Sequence, residues 1–439
     1  MNENRKTLGQ LAFPISLELL LLMLTGTIDT LMLSSVGDQA VAAVGTANTY
    51  ISMFILMFSV ISSGMMAIMT QNIGAGKPDV AYQACKIGAS FNGALGIVLG
   101  LILSAQADTI LNIVGIASSL REPASIYLCI VGGGCFLNAI IPIYSGYLRA
   151  FGYIKQPLWA TIISNITNLV LNAIFLYLLH MGVAGVAIAT ILSRILNLAI
   201  VYISSRLLIQ AHDKSSYLPT FQVLKQIVKI GLPSALESIF YHIALALVMR
   251  YLNQMDSEGI NVAARSYASS ITSFSFCIGA ALAHANAIMT GWQIGAEDYE
   301  ACEKGARKAA LIGILMSTLI ETIFALSATF IMSFFSDDPV VIDLVRKILF
   351  IDIILEFGRV TNLVYVNALK VSGDVIFPVA MATIFSFLCA VGGTYFFGIH
   401  LEMMVIGAYI GLTLDECFRA IAMILRWKTG IWKTKRIVK

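Results

Sequence analysis

Charge is scarce in this sequence. Lys, Arg, Asp and Glu make up 12% of the 439 residues, while 58% are hydrophobic and the mean hydropathy is +0.84. No ordinary soluble domain is built with so little charge, so the chain reads as a polytopic membrane protein of all-α class. A net charge of only +3 argues against a nucleic-acid partner. The seven cysteines are an odd number without CxxC spacing, which excludes a disulfide framework and a zinc site. His180, His212, His242, His284 and His400 show no ligand spacing. Catalytic signatures are missing as well: there is no HExxH, no DDxxD and no serine and histidine pair at useful spacing. "IGAGKPD", from Ile73, is not a phosphate-binding loop, because Pro78 follows Lys77 where serine or threonine is needed. Neither an enzyme nor a cofactor is expected. No small-residue cleavage site follows the first apolar run, so that run is read as a retained span.

What the chain does contain is apolar segments of membrane length. Hydropathy and turn signals predict about twelve spans, near 8–34, 42–72, 84–106, 122–148, 157–180, 183–207, 223–252, 260–291, 306–334, 341–370, 375–398 and 403–427. The basic residues sort by side. Arg5, Lys6, Lys77, Lys86, Arg149, Lys155, Arg206, Lys214, Lys225, Lys229, Lys304, Arg307, Lys308, Lys370 and the tail from Arg426 fall on one side. The other side has Arg121, Arg250, Arg346 and Lys347. The positive-inside rule places both termini in the cytoplasm of a multi-pass protein of the plasma (inner) membrane.

The halves repeat each other at a shift of about 220 residues. "PISLE" from Pro14 answers "PSALE" from Pro233, "AIMTQNIGAG" from Ala67 answers "AIMTGWQIGA" from Ala287, and "LRAFGYIKQP" from Leu148 answers "LKVSGDVIFP" from Leu369. The expected organisation is an amino-terminal six-helix lobe over 1–208, a cytoplasmic linker over 209–220 and a carboxy-terminal six-helix lobe over 221–439. A pseudo-two-fold along the membrane normal would relate the lobes, which is transporter architecture.

Charges inside the spans are the candidate functional residues, because each is costly at that depth. In the first span Glu18 and Asp29 stand eleven residues apart, three helical turns, and so share a face with Thr25. Asp29 is the stronger candidate, with asparagines but no basic residue expected to face it. Glu18 recurs as Glu237, four residues after a proline in each repeat, and has an alternative role in satisfying backbone freed by that proline. Asn168 and Asn172 share a face and offer carbonyl oxygens, or interhelical hydrogen bonds. The second half adds a charged cluster of its own: Asp352, Glu356 and Arg359 at i, i+4, i+7, then Asp415, Glu416 and Arg419, with Glu237 nearby in the repeat. Glu356 with Arg359 reads either as a structural ion pair or as part of a proton-responsive cluster. Met53, Met57, Met65, Met66 and Met69 suit either core packing or a pliable substrate wall.

Several stretches together resemble the multidrug and toxic compound extrusion family, in its NorM-like and DinF-like bacterial branches. They are "LAFP" at the first span, "TIDTLMLSSVGDQAVAAVG" from Thr27, "QNIGAGKPDVA" from Gln71, "YLRAFGYIKQP" from Tyr147, "NITNLVLN" from Asn165, "GVAGVAIATILSR" from Gly182 and "GLPSALE" from Gly231. The resemblance covers nearly the whole chain. It implies a monomeric antiporter that exports small organic, often cationic compounds through the lipid bilayer in exchange for protons or sodium ions. It further implies that Asp29 binds the coupling ion, with Asn168, Asn172 and Thr190 beside it as the candidate sodium ligands. Some relatives have aspartate where this chain has Asn172, so the site carries less negative charge and the ion stays open. A flippase for lipid-linked sugars is the alternative within the same superfamily; such a protein would need a more cationic cavity than Arg194, Arg265, Arg359 and Arg419 supply.

Overall fold

The computed structural model describes residues 6–114, 116–209, 217–255 and 259–438, with the side chains at 38, 53, 56, 59, 113 and 114 outside that set. Residues 210–216 of the expected linker, Arg5, and Met53 of the methionine group therefore lie outside the described side chains. Among the described residues there is no strand. The helices are α1 (Leu8–Ser34), α2 (Asp38–Gly74), α3 (Pro78–Ala105), α4 (Ala107–Val114), α5 (Ser118–Tyr127), α6 (Cys135–Ala150), α7 (Lys155–Ala173) and α8 (Gly182–Leu208) in the first half. The second half has α9 (Thr220–Met255), α10 (Ile260–Gly295), α11 (Tyr299–Leu326), α12 (Ala328–Met332), α13 (Pro339–Ser372), α14 (Ile376–Phe385) and α15 (Met404–Lys428).

Eight of these elements are long and apolar enough to cross a membrane by length and composition. A ninth span joins α5 and its π-helical extension to α6 across a 41° bend. The remaining long helices are α2, α13 and α15, and together these complete the expected all-α array of six membrane helices per repeat. α13 and α15 carry more charge than the other spans, and Asp352, Glu356, Asp415, Glu416 and Arg419 are buried in protein rather than turned to lipid.

Caps rather than hydropathy set several helix starts. Asp298 accepts from the Ala301 amide at 3.1 Å, and Asp338 accepts from Val340 at 2.8 Å with Pro339 at the first helical position. Helix α11 thus begins seven residues before the apolar run that marked its span, because polar first turns are invisible to hydropathy.

The repeat is written into the backbone. Positive φ occurs at Gly37, Gly76, Gly152, His180 and Gly182, and again at Gly259, Glu297, Gly373, Glu402 and Met404, each pair 221 or 222 residues apart. Left-handed turns at matching places end or begin matching helices, even where the second copy has lost its glycine, as at Glu297 and Met404. Both fifth spans also pass into π-helix, over Ile174–Leu178 and Thr394–His400.

By Cα proximity the chain forms two compact units: Leu17–Leu232, and Lys6–Ser16 with Pro233–Lys439. In the first, α2 and the start of α9 pack backbone to backbone. A Cβ on Gly231 would lie 1.7 Å from the Val60 carbonyl oxygen, and one on Gly64 2.1 Å from that of Ile227, so only glycine fits either position. Met65 and Met69 are buried in this unit, while Met57 is exposed. The core includes Leu33, Phe58, Leu128 and Val186. In the second unit Val248, Leu252, Ile271, Leu355 and Tyr409 do the same.

Candidate functional site

Asp29 lies half-buried on α1, and the fifth span comes to meet it. Asn172, fully buried on α7, donates through Nδ2 to Asp29 Oδ1 at 2.7 Å and to Asn168 Oδ1 at 3.2 Å. Asn165, one turn before, donates to the Leu21 carbonyl at 3.2 Å and pins α7 along α1. The i, i+4 spacing of Asn168 and Asn172 makes the chain of amides possible. Asn172 Oδ1 is buried without a hydrogen-bond partner, so one acceptor faces the site unused.

Thr190 on α8 spends its proton on the Val186 carbonyl at 2.8 Å, which leaves its oxygen free to accept. It joins the others through Tyr127 on α5. That ring is 4% exposed, its hydroxyl lies beside Thr190 and Asn48, and it feels the charge of Asp29. Side chains from four spans therefore gather with Asp29 of α1 in one polar cluster. The expectation that no basic residue faces Asp29 is corrected here. Arg194 lies one helical turn beyond Thr190 and acts electrostatically on Asp29.

Glu18 has a partner that the sequence does not show. Rather than serving backbone freed by Pro14, its carboxylate takes Arg149 at 2.6 Å, across 131 residues of sequence. Glu237 repeats this with Lys370 at 2.8 Å. Arg149 and Lys370 are themselves repeat partners in the "LRAFG" and "LKVSG" stretches, so the recurrence of the glutamate reflects a recurring interhelical ion pair.

The second unit holds a denser group of charges. Arg359 on α13 bonds Glu356 at 2.5 Å and stands 3.8 Å from Asp352. Arg419 on α15 bonds Asp415 at 2.5 Å and Glu416 at 3.0 Å, while Asn362 donates to the other Glu416 oxygen at 3.0 Å. Arg419 also lies over the Tyr241 ring at 5.5 Å. A cavity of about 570 Å³ opens beside them, lined among others by Tyr241, Arg265, Asp352, Arg359, Glu416 and Arg419. Its size and mixed lining suit a small organic ligand.

Comparison with known proteins fixes the family. A family model described as MatE matches residues 14–174 and 233–396, one stretch per repeat. The chain belongs to the MatE family. The uncharacterized transporter YisQ of Bacillus subtilis (strain 168) is 30% identical over 435 residues, spanning 98% of this chain and 95% of that protein. The probable multidrug resistance protein NorM of Thermotoga maritima is 24% identical over 445 residues, 99% of this chain and 95% of that protein. A crystal structure of a MATE protein in its bent conformation has the same fold, with a TM-score of 0.89 at 20% identity over 97% of this chain and 96% of that one.

Within this MatE chain, Asp29, Asn168 and Asn172 are directly bonded and Thr190 is one side chain removed. Glu356 with Arg359 and Asp415 with Arg419 form two adjoining networks, whereas Glu237 belongs to a separate ion pair on the same cavity. Tyr127 and Asn48 carry no sequence signal that places them beside Thr190. The sequence marks Arg194 as intramembrane but not as a neighbour of Asp29, and it does not mark Glu321 on α11, which is fully buried. A signal was present: the buried stripe of α11 runs Cys302, Ala306, Ala309, Ala310, Gly313, Ser317, Glu321 and Ala325, small residues interrupted by one carboxylate. An uncompensated charge at that depth costs several kcal/mol, of the order that makes an intramembrane acid a functional candidate.

Proposed function

We propose that the protein is a monomeric secondary antiporter of the plasma membrane that exports small organic compounds from the cytoplasm in exchange for inward protons. The observation that carries this reading is the Asp29, Asn172, Asn168 chain on otherwise apolar helices. Asp29 is the titratable member of that chain, and the unpaired Asn172 Oδ1 leaves one acceptor in the same cluster for a proton donor. The printed names of the relatives, multidrug resistance proteins among them, support export as the direction.

Sodium is the second reading, because Asn172 Oδ1 is an unused oxygen ligand. Two features weigh against it. The Asn172 Nδ2 group occupies the space between the Asp29 and Asn168 oxygens, so a sodium ion requires that amide to turn over. Arg194 also offsets the single carboxylate, and hard cations favour sites with more anionic oxygen. The flippase reading draws little from the cavity: of its four basic residues, Lys370, Arg359 and Arg419 are held in ion pairs, and Arg265 alone has none among the described residues.

Purified protein in liposomes, loaded with a fluorescent organic cation, separates the ions. Export under a pure proton gradient with none under a pure sodium gradient is the expected outcome. The reverse result moves the coupling to sodium, and export under neither removes antiport. The excess of basic residues on one side supports cytoplasmic termini and a cytoplasmic linker. A cysteine at Ser215 is therefore expected to resist an impermeant thiol reagent applied outside intact cells; labelling from outside would reverse the orientation.

A further inference from the structure

Glu321 has no counterpart in the ion-pair scheme of the second unit. Its side chain is fully buried, and neither carboxyl oxygen has a hydrogen-bond partner. One turn earlier, α11 is clamped to α10 by a reciprocal serine pair, Ser275 Oγ to the Ser317 carbonyl at 3.1 Å and Ser317 Oγ to that of Ser275 at 3.4 Å. Gly279 of α10 and Gly313 of α11 both close against Val360 of α13, where an added Cβ would come within 2.6 Å. These contacts hold α10, α11 and α13 together on the same face of α11 that buries Glu321.

The groups facing it do not neutralise it. From α13 come Asp352, Glu356 and Arg359. From α15 comes Tyr409, which itself feels Arg265 of α10 as well as Arg359, Asp352 and Glu321. Arg359 is already bonded to Glu356, and Arg419 to Asp415 and Glu416. The buried carboxyls Glu321, Asp352, Glu356, Asp415 and Glu416 therefore share two committed guanidiniums. Arg265, the remaining arginine of the group, has no carboxylate within ion-pair distance among the described residues; its guanidinium points to the Met249 sulfur. Asp352 lines the cavity, and its own oxygens make no hydrogen bond.

We propose that Glu321 is a proton-binding site of the second unit, which exchanges its proton with the cavity by way of Asp352. The ligand is a proton rather than a metal ion: among the described residues no group of three His, Cys, Asp or Glu side chains comes together that could hold one. With Glu321 in the acid form, Arg359 stays with Glu356. When the proton leaves, the new carboxylate competes for Arg359 and draws it from the cavity wall, so that proton release and the charge presented to a substrate change together. The site extends the proposed proton exchange to a second carboxyl and rests on that reading only for the source of the driving proton.

Infrared spectra of the purified full-length protein at neutral pH test the assignment without transport. The deuterium-sensitive carbonyl stretch of a protonated carboxyl is expected in the wild type and in Asp29→Asn, and is lost in Glu321→Gln. Added sodium is expected to leave the band unchanged. A wild-type spectrum that matches Glu321→Gln in this region would overturn the proposal, as would loss of the band on adding sodium. If Glu321→Gln does not fold, Glu321→Asp carries the test: the band must shift in frequency, and an unshifted band overturns the assignment. Failure of Asp29 to couple export would show in efflux and not in this spectrum, so the two readings fail separately.

Discussion

Replacing Asp29 with asparagine is expected to abolish gradient-driven efflux while leaving a folded protein. The amide keeps the size of the side chain and an oxygen for the Asn172 donor, which stands 2.7 Å away, but removes the group that takes up a proton. The loss is large in concentration terms. One proton moving down roughly 100 mV and one pH unit supplies about 2.3 plus 1.4 kcal/mol, a substrate ratio of several hundredfold. Without that coupling the ratio falls to unity. Arg194 then faces a neutral partner, which adds a modest penalty to stability but none to the argument about coupling. Glu18→Gln serves as the comparison, because Glu18 is bound to Arg149 rather than to the Asp29 cluster. It should lose part of an interhelical ion pair and retain most transport. Efflux from proteoliposomes measures both. If Asp29→Asn still concentrated substrate near the wild-type ratio while Glu18→Gln did not, the coupling role would belong to the other carboxylate.

Arg419→Met should have the largest effect on stability. Arg419 is 5% exposed, and a single terminal nitrogen serves Asp415 at 2.5 Å and Glu416 at 3.0 Å. Methionine fills a similar volume but strands two carboxylates in the protein interior, a change of about 3–5 kcal/mol for one broken buried pair. The expected result is a sharp fall in thermal stability in detergent and in the yield of folded protein. Neutralising the partners as well, with Asp415→Asn and Glu416→Gln on the Arg419→Met background, should recover most of the loss, since a buried ionic group replaced as a whole is close to neutral. Lys304→Met provides the contrast. Its pair with Glu300 is exposed, with side chains 76% and 77% accessible, so its loss should leave stability nearly unchanged. Equal stabilities of Arg419→Met and wild type would show that the two acids are not relying on this arginine for compensation.

The sequence by itself determined the features that depend on near neighbours in the chain. Apolar run length set the membrane helices, because the bilayer demands about 20 apolar residues whatever the fold. The repeat was legible in short matched words, and the structure shows why they recur: they mark left-handed turns 221 or 222 residues apart and the glutamate and base of matching ion pairs. The convergence of Asn168 and Asn172 followed from helical period alone. Pairings between helices did not. Arg149 reaches Glu18 across 131 residues, and the spacing of either residue along its own helix says nothing about the other. Arg194 was counted as intramembrane, yet only the packing of α8 brings its charge to Asp29. Glu321 shows the limit most clearly. Its helix has enough apolar surface to cross a membrane with or without that carboxylate, and only the packing of α11 against α10 and α13 turns an ordinary glutamate into a buried group without a hydrogen-bond partner. Sidedness along one helix is a local property of the chain, whereas compensation of a buried charge depends on which other helices arrive, and that is decided by tertiary packing.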